Sequence, residues 1–130
     1  MKLILYSHAV QAGFPSPADD YKDDALSLDE HLIEHPAATF LARASGDSMQ
    51  GVGIFEGDLL IVDRALTPTQ GDVVIAVING ELTCKILDSK GRRLLAANPH
   101  YPPLVLADDQ DALIEGVVKA SIRYHRSRRC

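Results

Sequence analysis

Ser48 and Lys85 are the two residues of this chain whose types could do covalent chemistry together. Ser48 lies in residues 45–49 (SGDSM), and Lys85 follows 37 residues later in residues 81–85 (ELTCK). A serine hydroxyl is a poor nucleophile at neutral pH, so it needs a neighbouring base that takes its proton during attack. A lysine can be that base only when its amine is neutral, which requires an apolar, desolvated setting. The pair therefore predicts a serine nucleophile with a lysine base.

The segment around Lys85 is predicted to be a β-strand, which decides the side on which the amine lies. Side chains alternate across a strand, so Lys85 shares one face with Thr83 and Leu87. The other face is apolar and carries Leu82, Cys84 and Ile86. Cys84 is therefore expected to be a small buried hydrophobe rather than a thiol nucleophile. Taken alone, Lys85 could equally be a surface lysine on an edge strand, where lysine blocks unwanted strand pairing.

Ser48 follows a predicted turn at Gly46-Asp47 and, with Met49, is expected to open a short helical turn. Backbone N–H groups at such a start have no partner within the helix. The N–H groups of Ser48 and Met49 would then form an oxyanion hole for the charge that develops in acyl transfer. Asp47 is expected to shape the turn by bonding backbone amides. Ser48 read by itself could be no more than a turn residue or a helix cap.

Six stretches of the chain, taken in order, resemble a known family. They are residues 13–18 (GFPSPA), 35–39 (HPAAT), 44–49 (ASGDSM), 57–63 (GDLLIVD), 71–76 (GDVVIA) and 80–85 (GELTCK). The ordered set is similar to the UmuD group of the LexA-like self-cleaving serine proteases, peptidase family S24. The resemblance implies that Ser48 is the nucleophile, that Lys85 is the general base, and that the bond between Ala12 and Gly13 is the cleavage site.

The same resemblance implies a DNA-damage (SOS) response protein that removes its own amino-terminal arm. A RecA-type recombinase filament on single-stranded DNA would promote the cut by favouring the arm-docked conformer, which is a population shift. The shortened homodimer would then be an accessory subunit of a UmuC-type translesion DNA polymerase. A hypothesis of another class stays open, namely a non-catalytic polymerase-binding module whose dyad is unused because the arm does not reach it.

The charge and cysteine content of the chain limit the classes of partner and the cellular compartment that we expect for it. A formal net charge of −5 at pH 7 argues against a protein that coats nucleic acid, because neutralising phosphates needs a dense basic surface. Little direct nucleic-acid binding is therefore expected. Two cysteines form no disulfide framework, which indicates a reducing cytoplasm. No signal peptide and no membrane-spanning stretch is expected.

The basic residues at the end of the chain are the exception to its acidic character. They are Arg123, Arg126, Arg128 and Arg129. Such a tail is most often solvated, and the alternative is that it contacts DNA or the polymerase partner.

Residues 1–36 are predicted to be an extended arm that carries the cleavage site and one short helix. Residues 3–6 could pair as a short strand, whereas the acidic residues from Asp19 to Asp24 are expected to keep their stretch solvated. Ser27 and Glu30 match a capping box, which predicts a helix that ends before Pro36.

Residues 37–130 are predicted to be the protease domain, and the whole chain is expected to be mainly β. Apolar runs predict strands over residues 39–44, 59–63, 73–78, 82–87, 94–97, 104–106 and 113–124. Asn79-Gly80 between two of these runs is typical of a hairpin. Closely spaced strands with almost no helix predict a curled antiparallel sheet or a partly open barrel.

Two further patterns resemble binding sites, and neither is expected to be one. Residues 31–35 (HLIEH) match the H-x-x-E-H zinc signature, but Pro36 ends the helix within a turn and no third ligand is evident. No metal and no cofactor is therefore expected. The glycines near Ser48 are not a phosphate loop, because no Gly-Lys-Ser/Thr follows them. They are expected to serve tight turns around the serine.

Overall fold

A computed structural model describes residues 1–6, 9–10, 22–106 and 113–126, with only the backbone of residues 22–24. The elements, in chain order, are β1 (Leu3–Tyr6), β2 (Lys22–Leu26), α1 (Leu28–Leu32), β3 (Thr39–Arg43), β4 (Leu59–Asp63), β5 (Val73–Ile78), β6 (Glu81–Asp88), β7 (Arg93–Leu95), β8 (Leu104–Val105) and β9 (Leu113–Ile122). Single-turn 3₁₀ helices span Pro36–Ala38 and Gln50–Val52. The chain divides into two compact units, Met1–Glu34 and His35–Cys130.

The first unit contains a two-stranded antiparallel ribbon of β1 and β2, followed by α1. The strand β2 was not predicted, because its acidic residues indicated a solvated stretch. Strand pairing uses backbone groups, so acidic side chains do not prevent it. The helix α1 ends before Pro36, as the sequence predicted. None of the described helices is long and apolar enough to cross a membrane.

The capping box predicted at Ser27 is wrong in its bonding. The Ser27 side chain makes no hydrogen bond to the backbone of the helix. Its hydroxyl donates to a carboxylate oxygen of Asp29, two residues further on. This hydrogen bond is the main cause that lowers the pKa of Asp29. Ser27 is therefore a donor to a side chain of the first turn and not the acceptor of a backbone N–H that a serine cap ordinarily is.

The second unit is built on one antiparallel sheet, and its described part has seven strands in the order β3-β4-β9-β5-β6-β7-β8. Each predicted strand is present, with ends that differ by at most a few residues. Asn79 and Gly80 have φ values of 51° and 81°, the left-handed backbone that a two-residue hairpin requires. The sheet runs from β3 at one edge to β8 at the other and does not close. The prediction of a mainly β fold with an open antiparallel sheet is therefore confirmed.

Both faces of the sheet bury apolar side chains, and β5 separates the two clusters. Ile75 belongs to a first cluster with Met49, Ile54, Leu60 and Val62. Val74 and Ala76, its neighbours on β5, belong to a second cluster with Leu87, Leu94 and Val117. Alternate residues of a strand point to opposite faces, so the two clusters lie on opposite sides of the sheet. Met49 ties the segment that carries Ser48 to the first cluster.

Candidate active site

The structure brings Ser48 and Lys85 into contact across 37 residues of sequence. Lys85 Nζ donates a hydrogen bond to Ser48 Oγ over 3.2 Å. Both side chains are half-buried. Lys85 is therefore not a solvated surface lysine, and Ser48 is more than a turn residue. A hydroxyl and an amine within hydrogen-bond reach are the geometry that nucleophile activation needs.

The Ser48 loop, residues 45–58, links β3 to β4 and is shaped by glycines. Gly46 has a φ of 83° just before the serine, and Gly53 has a φ of 81° just after the 3₁₀ turn. That turn begins at Gln50 with Met49 as its N-cap, so it starts one residue later than the sequence predicted. The expected role in tight turns is confirmed for Gly46 and Gly53.

The backbone N–H groups of Ser48 and Met49 precede the first hydrogen-bonded residue of this turn. Among the hydrogen bonds of the described residues, neither group is a donor. Both are thus in a position typical of groups that receive a ligand or a developing negative charge.

The segment 97–101 packs its backbone directly against the Ser48 loop. Ala97 N donates to Ser48 O over 2.8 Å, and Gly51 N donates to Ala97 O over 2.7 Å. A Cβ at Gly51 would lie only 2.6 Å from Ala97 O. This close approach of two backbones is possible because residue 51 is glycine.

Asp47 is hydrogen-bonded to the same segment through both its backbone carbonyl and its carboxylate. Asn98 Nδ2 donates to Asp47 O over 2.9 Å, and the Tyr101 hydroxyl donates to Asp47 Oδ1. The carboxylate beside it raises the pKa of Tyr101, chiefly through that hydrogen bond. The Asp47 carboxylate therefore accepts a side-chain donor rather than the backbone amides that the sequence predicted, whereas Asp47 O also accepts from Gln50 N over 3.4 Å. Sequence reasoning missed Asn98 and Tyr101, for which Asn98-Pro99 gave a turn signal but no partner.

Lys85 lies on β6 opposite Val74 of β5, and its side chain is half-buried. Its Nζ lies 5.7 Å from the centroid of the Tyr101 ring. Burial raises the pKa of the adjacent Cys84 thiol to about 11, so this thiol is a weak nucleophile. Cys84 packs against the first apolar cluster, as predicted. Leu82 was expected on that buried face, but its side chain is 66% exposed.

A cleft with a volume of about 560 Å³ opens beside Ser48. Its walls include residues of β3, of the Ser48 loop and of the first half of β6. Leu41, 60% exposed, and Leu82 contribute apolar surface to it. Within the described residues, β3 is an edge strand. The strand β7 pairs with β6 only at Ile86–Asp88, which leaves one edge of Glu81–Lys85 unpaired. Unpaired strand edges beside a cleft suit an extended peptide.

Arg123 was assigned to the basic tail by sequence, but it is part of the framework of the Ser48 loop. Its Nε and Nη2 bond the two carboxylate oxygens of Asp58 over 3.0 and 2.8 Å. The same Nη2 donates to Gly53 O over 2.7 Å, and the guanidinium lies 4.0 Å from the Phe55 ring centroid. The hydrogen bonds from Arg123 are the main cause that lowers the pKa of buried Asp58. The sequence did not predict this structural role for Arg123, and a contact of this residue with DNA or a polymerase stays a prediction.

The histidines of the zinc-like motif are not presented on one helix. His31 lies in α1, whereas His35 lies beyond the end of that helix. His35 Nδ1 bonds Asp63 Oδ2 over 2.7 Å. This bond is the main cause that lowers the pKa of wholly buried Asp63. In the described residues, the pair joins the segment before β3 to the end of β4.

Some predicted residues fall outside the part of the chain that the structure describes. They are Ala12 and Gly13 of the cleavage site, the rest of residues 13–18, and Arg128 and Arg129 of the tail.

Comparison with known proteins shows one family over nearly the whole chain. The profile of the family described as Peptidase S24-like matches residues 4–119. Protein SamA of Salmonella typhimurium is 48% identical over 124 residues, which cover 95% of this chain and 86% of SamA. Protein ImpA of Escherichia coli is 46% identical over 124 residues, 95% of this chain and 84% of ImpA. The LexA repressor of Xylella fastidiosa is 42% identical over 119 residues, 90% of this chain and 56% of the repressor.

Proposed function

Because the chain belongs to the Peptidase S24-like family, we propose that it is a self-cleaving serine protease that cuts between Ala12 and Gly13. Membership in this family confirms the resemblance to the LexA-like proteases that the sequence predicted. The observation that carries the proposal is the 3.2 Å contact between Lys85 Nζ and Ser48 Oγ. In this proposal residues 1–36 are the arm that supplies the substrate, and residues 37–130 are the protease domain.

The reaction begins when Ser48 Oγ attacks the carbonyl carbon of Ala12 and Lys85 Nζ takes the hydroxyl proton. The tetrahedral intermediate then collapses, the C–N bond to Gly13 breaks, and the Lys85 ammonium returns the proton to the leaving amine. Water hydrolyses the resulting ester between Ala12 and Ser48, with the lysine amine as base again. Each proton that leaves an oxygen therefore has a nitrogen acceptor within reach.

The charge state of Lys85 decides whether this chemistry proceeds. An ammonium donates to Ser48 Oγ, whereas catalysis needs the reverse, with a neutral amine that accepts the hydroxyl proton. Lys85 is half-buried beside the cleft. A peptide strand that fills the cleft would lie against Ser48, which lines it.

The N–H groups of Ser48 and Met49 supply the oxyanion hole in this mechanism. They stabilise the charge on the Ala12 carbonyl oxygen as the tetrahedral intermediate forms. The unpaired edges of β3 and β6 hold the substrate in an extended conformation, because proteases bind substrates as strands. Ala12 and Gly13 have almost no side chain, so their backbone can approach the serine closely.

The wider role follows from the relatives rather than from the site. The protein acts in the cytoplasm in the DNA-damage (SOS) response. A RecA-type filament on single-stranded DNA promotes the cut, and the shortened homodimer serves a UmuC-type translesion DNA polymerase. Similarity to SamA, ImpA and the LexA repressor supports this assignment.

Mass spectrometry of the purified full-length chain, incubated from neutral to alkaline pH, tests the proposal. We expect fragments that end at Ala12 and begin at Gly13, formed faster as pH rises because a lysine base must lose its proton. Ser48→Ala and Lys85→Ala should each reduce the rate by at least about a thousandfold. Lys85→Arg should be equally inactive, because arginine keeps the charge but does not deprotonate. Lys90→Ala, in the exposed turn after β6, is the matched control with an unchanged rate.

An intact chain at every pH, even with an activated recombinase filament, would refute the protease and favour the polymerase-binding module. Dilution separates two forms of the proposal. Cutting between subunits slows as dimers dissociate, whereas cutting within one subunit keeps its rate.

A further inference from the structure

We propose that Asn98 and Tyr101 are positioning residues for self-cleavage, because they grip Asp47 and thereby orient Ser48 toward Lys85. This inference rests on the proposed function and adds two residues to it. We call the segment 97–101 the clamp.

The two peptide groups that flank the Cα atom of Ser48 are both anchored to the clamp. The peptide before it is held through Asp47 O, which accepts from Asn98 Nδ2 over 2.9 Å. The peptide after it is held through Ser48 O, which accepts from Ala97 N over 2.8 Å. Anchoring both neighbouring peptide planes restricts φ and ψ of the residue between them. The direction of the Ser48 side chain is thus set by the clamp.

The same two peptides carry the N–H groups assigned to the oxyanion hole. In a trans peptide the C=O and the N–H point in opposite directions. Because the carbonyls of Asp47 and Ser48 face the clamp, the N–H groups of Ser48 and Met49 face away from it. One set of hydrogen bonds therefore orients both the nucleophile and the donors that stabilise the developing charge.

The clamp is organised within itself before it reaches the Ser48 loop. Asn98 Oδ1 accepts from His100 N over 2.9 Å, and Asn98 O accepts from Tyr101 N over 3.1 Å. This turn presents the Tyr101 hydroxyl to the Asp47 carboxylate. The Tyr101 ring also lies 5.7 Å from Lys85 Nζ. The hydroxyl of Tyr101 thus bonds Asp47, which precedes the nucleophile Ser48, and the ring of Tyr101 lies near the base Lys85.

Two variants remove the grip on Asp47 while keeping the rest of the clamp. Tyr101→Phe deletes the hydroxyl but keeps the ring near Lys85. Asn98→Asp keeps an oxygen for His100 N but loses the N–H that holds Asp47 O. Tyr124→Phe, outside the clamp, is the matched control for loss of a tyrosine hydroxyl.

We expect Tyr101→Phe and Asn98→Asp to lower the first-order rate constant of self-cleavage by about ten- to a hundredfold, the effect of losing one hydrogen bond that involves a charged group or leaves a polar group unpaired. In Tyr101→Phe the maximal rate should fall while the pH of half-maximal rate stays unchanged, because the base keeps its surroundings. The melting temperature should stay within a few degrees of the unsubstituted chain, and Tyr124→Phe should cut at the unsubstituted rate. Wild-type rates in both clamp variants, or a rate loss that only follows loss of folded protein, would overturn the inference.

Amide hydrogen exchange tests whether the clamp holds the Ser48 loop, even if the unsubstituted chain does not cleave itself. The N–H groups of Ala97 and Gly51 cross between the clamp and the Ser48 loop. Asn98→Asp should speed their exchange by about tenfold or more, while amides of β5 keep their rates. Unchanged exchange at Ala97 and Gly51 would overturn the clamp. Faster exchange without self-cleavage would keep the clamp and refute only the protease.

Discussion

Two buried carboxylates of the second unit, Asp58 and Asp88, each bond an arginine, yet they fasten different parts of the chain. Arg123 places Nε and Nη2 on separate oxygens of Asp58, whereas Arg93 places both nitrogens on one oxygen of Asp88. Asp58 is 3% exposed and Asp88 is 8% exposed, so both arginines compensate a desolvated charge.

The two carboxylate–arginine pairs differ in the other groups to which they are hydrogen-bonded. Around Asp58, Arg123 also holds Gly53 O, and Asp58 Oδ2 accepts from Phe55 N, so the pair fixes the Ser48 loop. Asp88 accepts from Gln70 and from Gly91 N, which closes the turn between β6 and β7. The pair of Asp58 and Arg123 therefore stabilises the candidate site, whereas the pair of Asp88 and Arg93 stabilises only the sheet. What a charged pair does is decided by the backbone groups that it holds.

Removing the arginines should give the largest effects and test this difference directly. Arg123→Ala should lower the free energy of unfolding by about 2–3 kcal/mol, because it leaves the buried carboxylate of Asp58 unpaired. Self-cleavage should slow by about tenfold or more as the Ser48 loop loosens. Arg93→Ala should lose about 2 kcal/mol of stability for the same reason but cut at the original rate while folded. Urea denaturation and fragment masses measure the two quantities, and equal rate losses in both variants would contradict the comparison.

Two glycines extend the comparison to close packing. A Cβ at Gly51 would lie 2.6 Å from Ala97 O, and a Cβ at Gly116 of β9 would lie 2.7 Å from Val62 Cγ1. Alanine at either position should cost about 1–3 kcal/mol of stability through overpacking. Gly51→Ala should also separate the Ser48 loop from the clamp and reduce cleavage by about tenfold. Gly116→Ala should keep the cleavage rate of the folded protein. A loss of activity in this variant would show that the effect of close packing on cleavage is not confined to the Ser48 loop.

Acid provides a weaker test, since both carboxylates have lowered pKa values. The bonds from Arg123 and Arg93 are the main causes at Asp58 and Asp88, whose ordinary pKa is 3.8. A lowered pKa in the folded state contributes stability above pH 3.8, and this contribution is lost as pH falls through the lower folded value. Urea denaturation at a series of acidic pH values should therefore show stability falling below that point. In the same pH range, hydrogen exchange of the backbone amides should become faster in the Ser48 loop as Asp58 is protonated. Exchange should likewise become faster in the β6–β7 turn as Asp88 is protonated.

Exposed leucines should give the smallest effects. Leu82 lines the cleft and is 66% exposed, whereas Leu113 at the start of β9 is 60% exposed and does not line it. Alanine at either position should change stability by no more than about 0.5 kcal/mol. Leu82→Ala should slow self-cleavage by about two- to fivefold, because each buried apolar contact with a substrate strand contributes on the order of 1 kcal/mol. An equal slowing in Leu113→Ala would mean that the cleft does not hold the substrate.

The sequence by itself determined the strands of the second unit, the hairpin at Asn79-Gly80 and the candidacy of Ser48 and Lys85. Each of these depends on a few neighbouring residues, through apolar alternation, a turn that needs positive φ, or a motif of fixed spacing. The resemblance to a family added the proposed cleavage bond between Ala12 and Gly13, which no local pattern in the chain identifies.

Only the tertiary structure decided which distant groups meet at the site. Asn98 bonds Asp47 across 51 residues, and Arg123 bonds Asp58 across 65. Such contacts depend on strand order and on the path of each loop, which local periodicity does not encode. Side chains such as Arg123 and Asn98 are mostly exposed in proteins, so their types alone predict a surface position. They become structural here because the fold brings the buried carboxylate of Asp58 within reach of Arg123 and the carbonyl of Asp47 within reach of Asn98, and an unpaired buried charge such as that of Asp58 is costly.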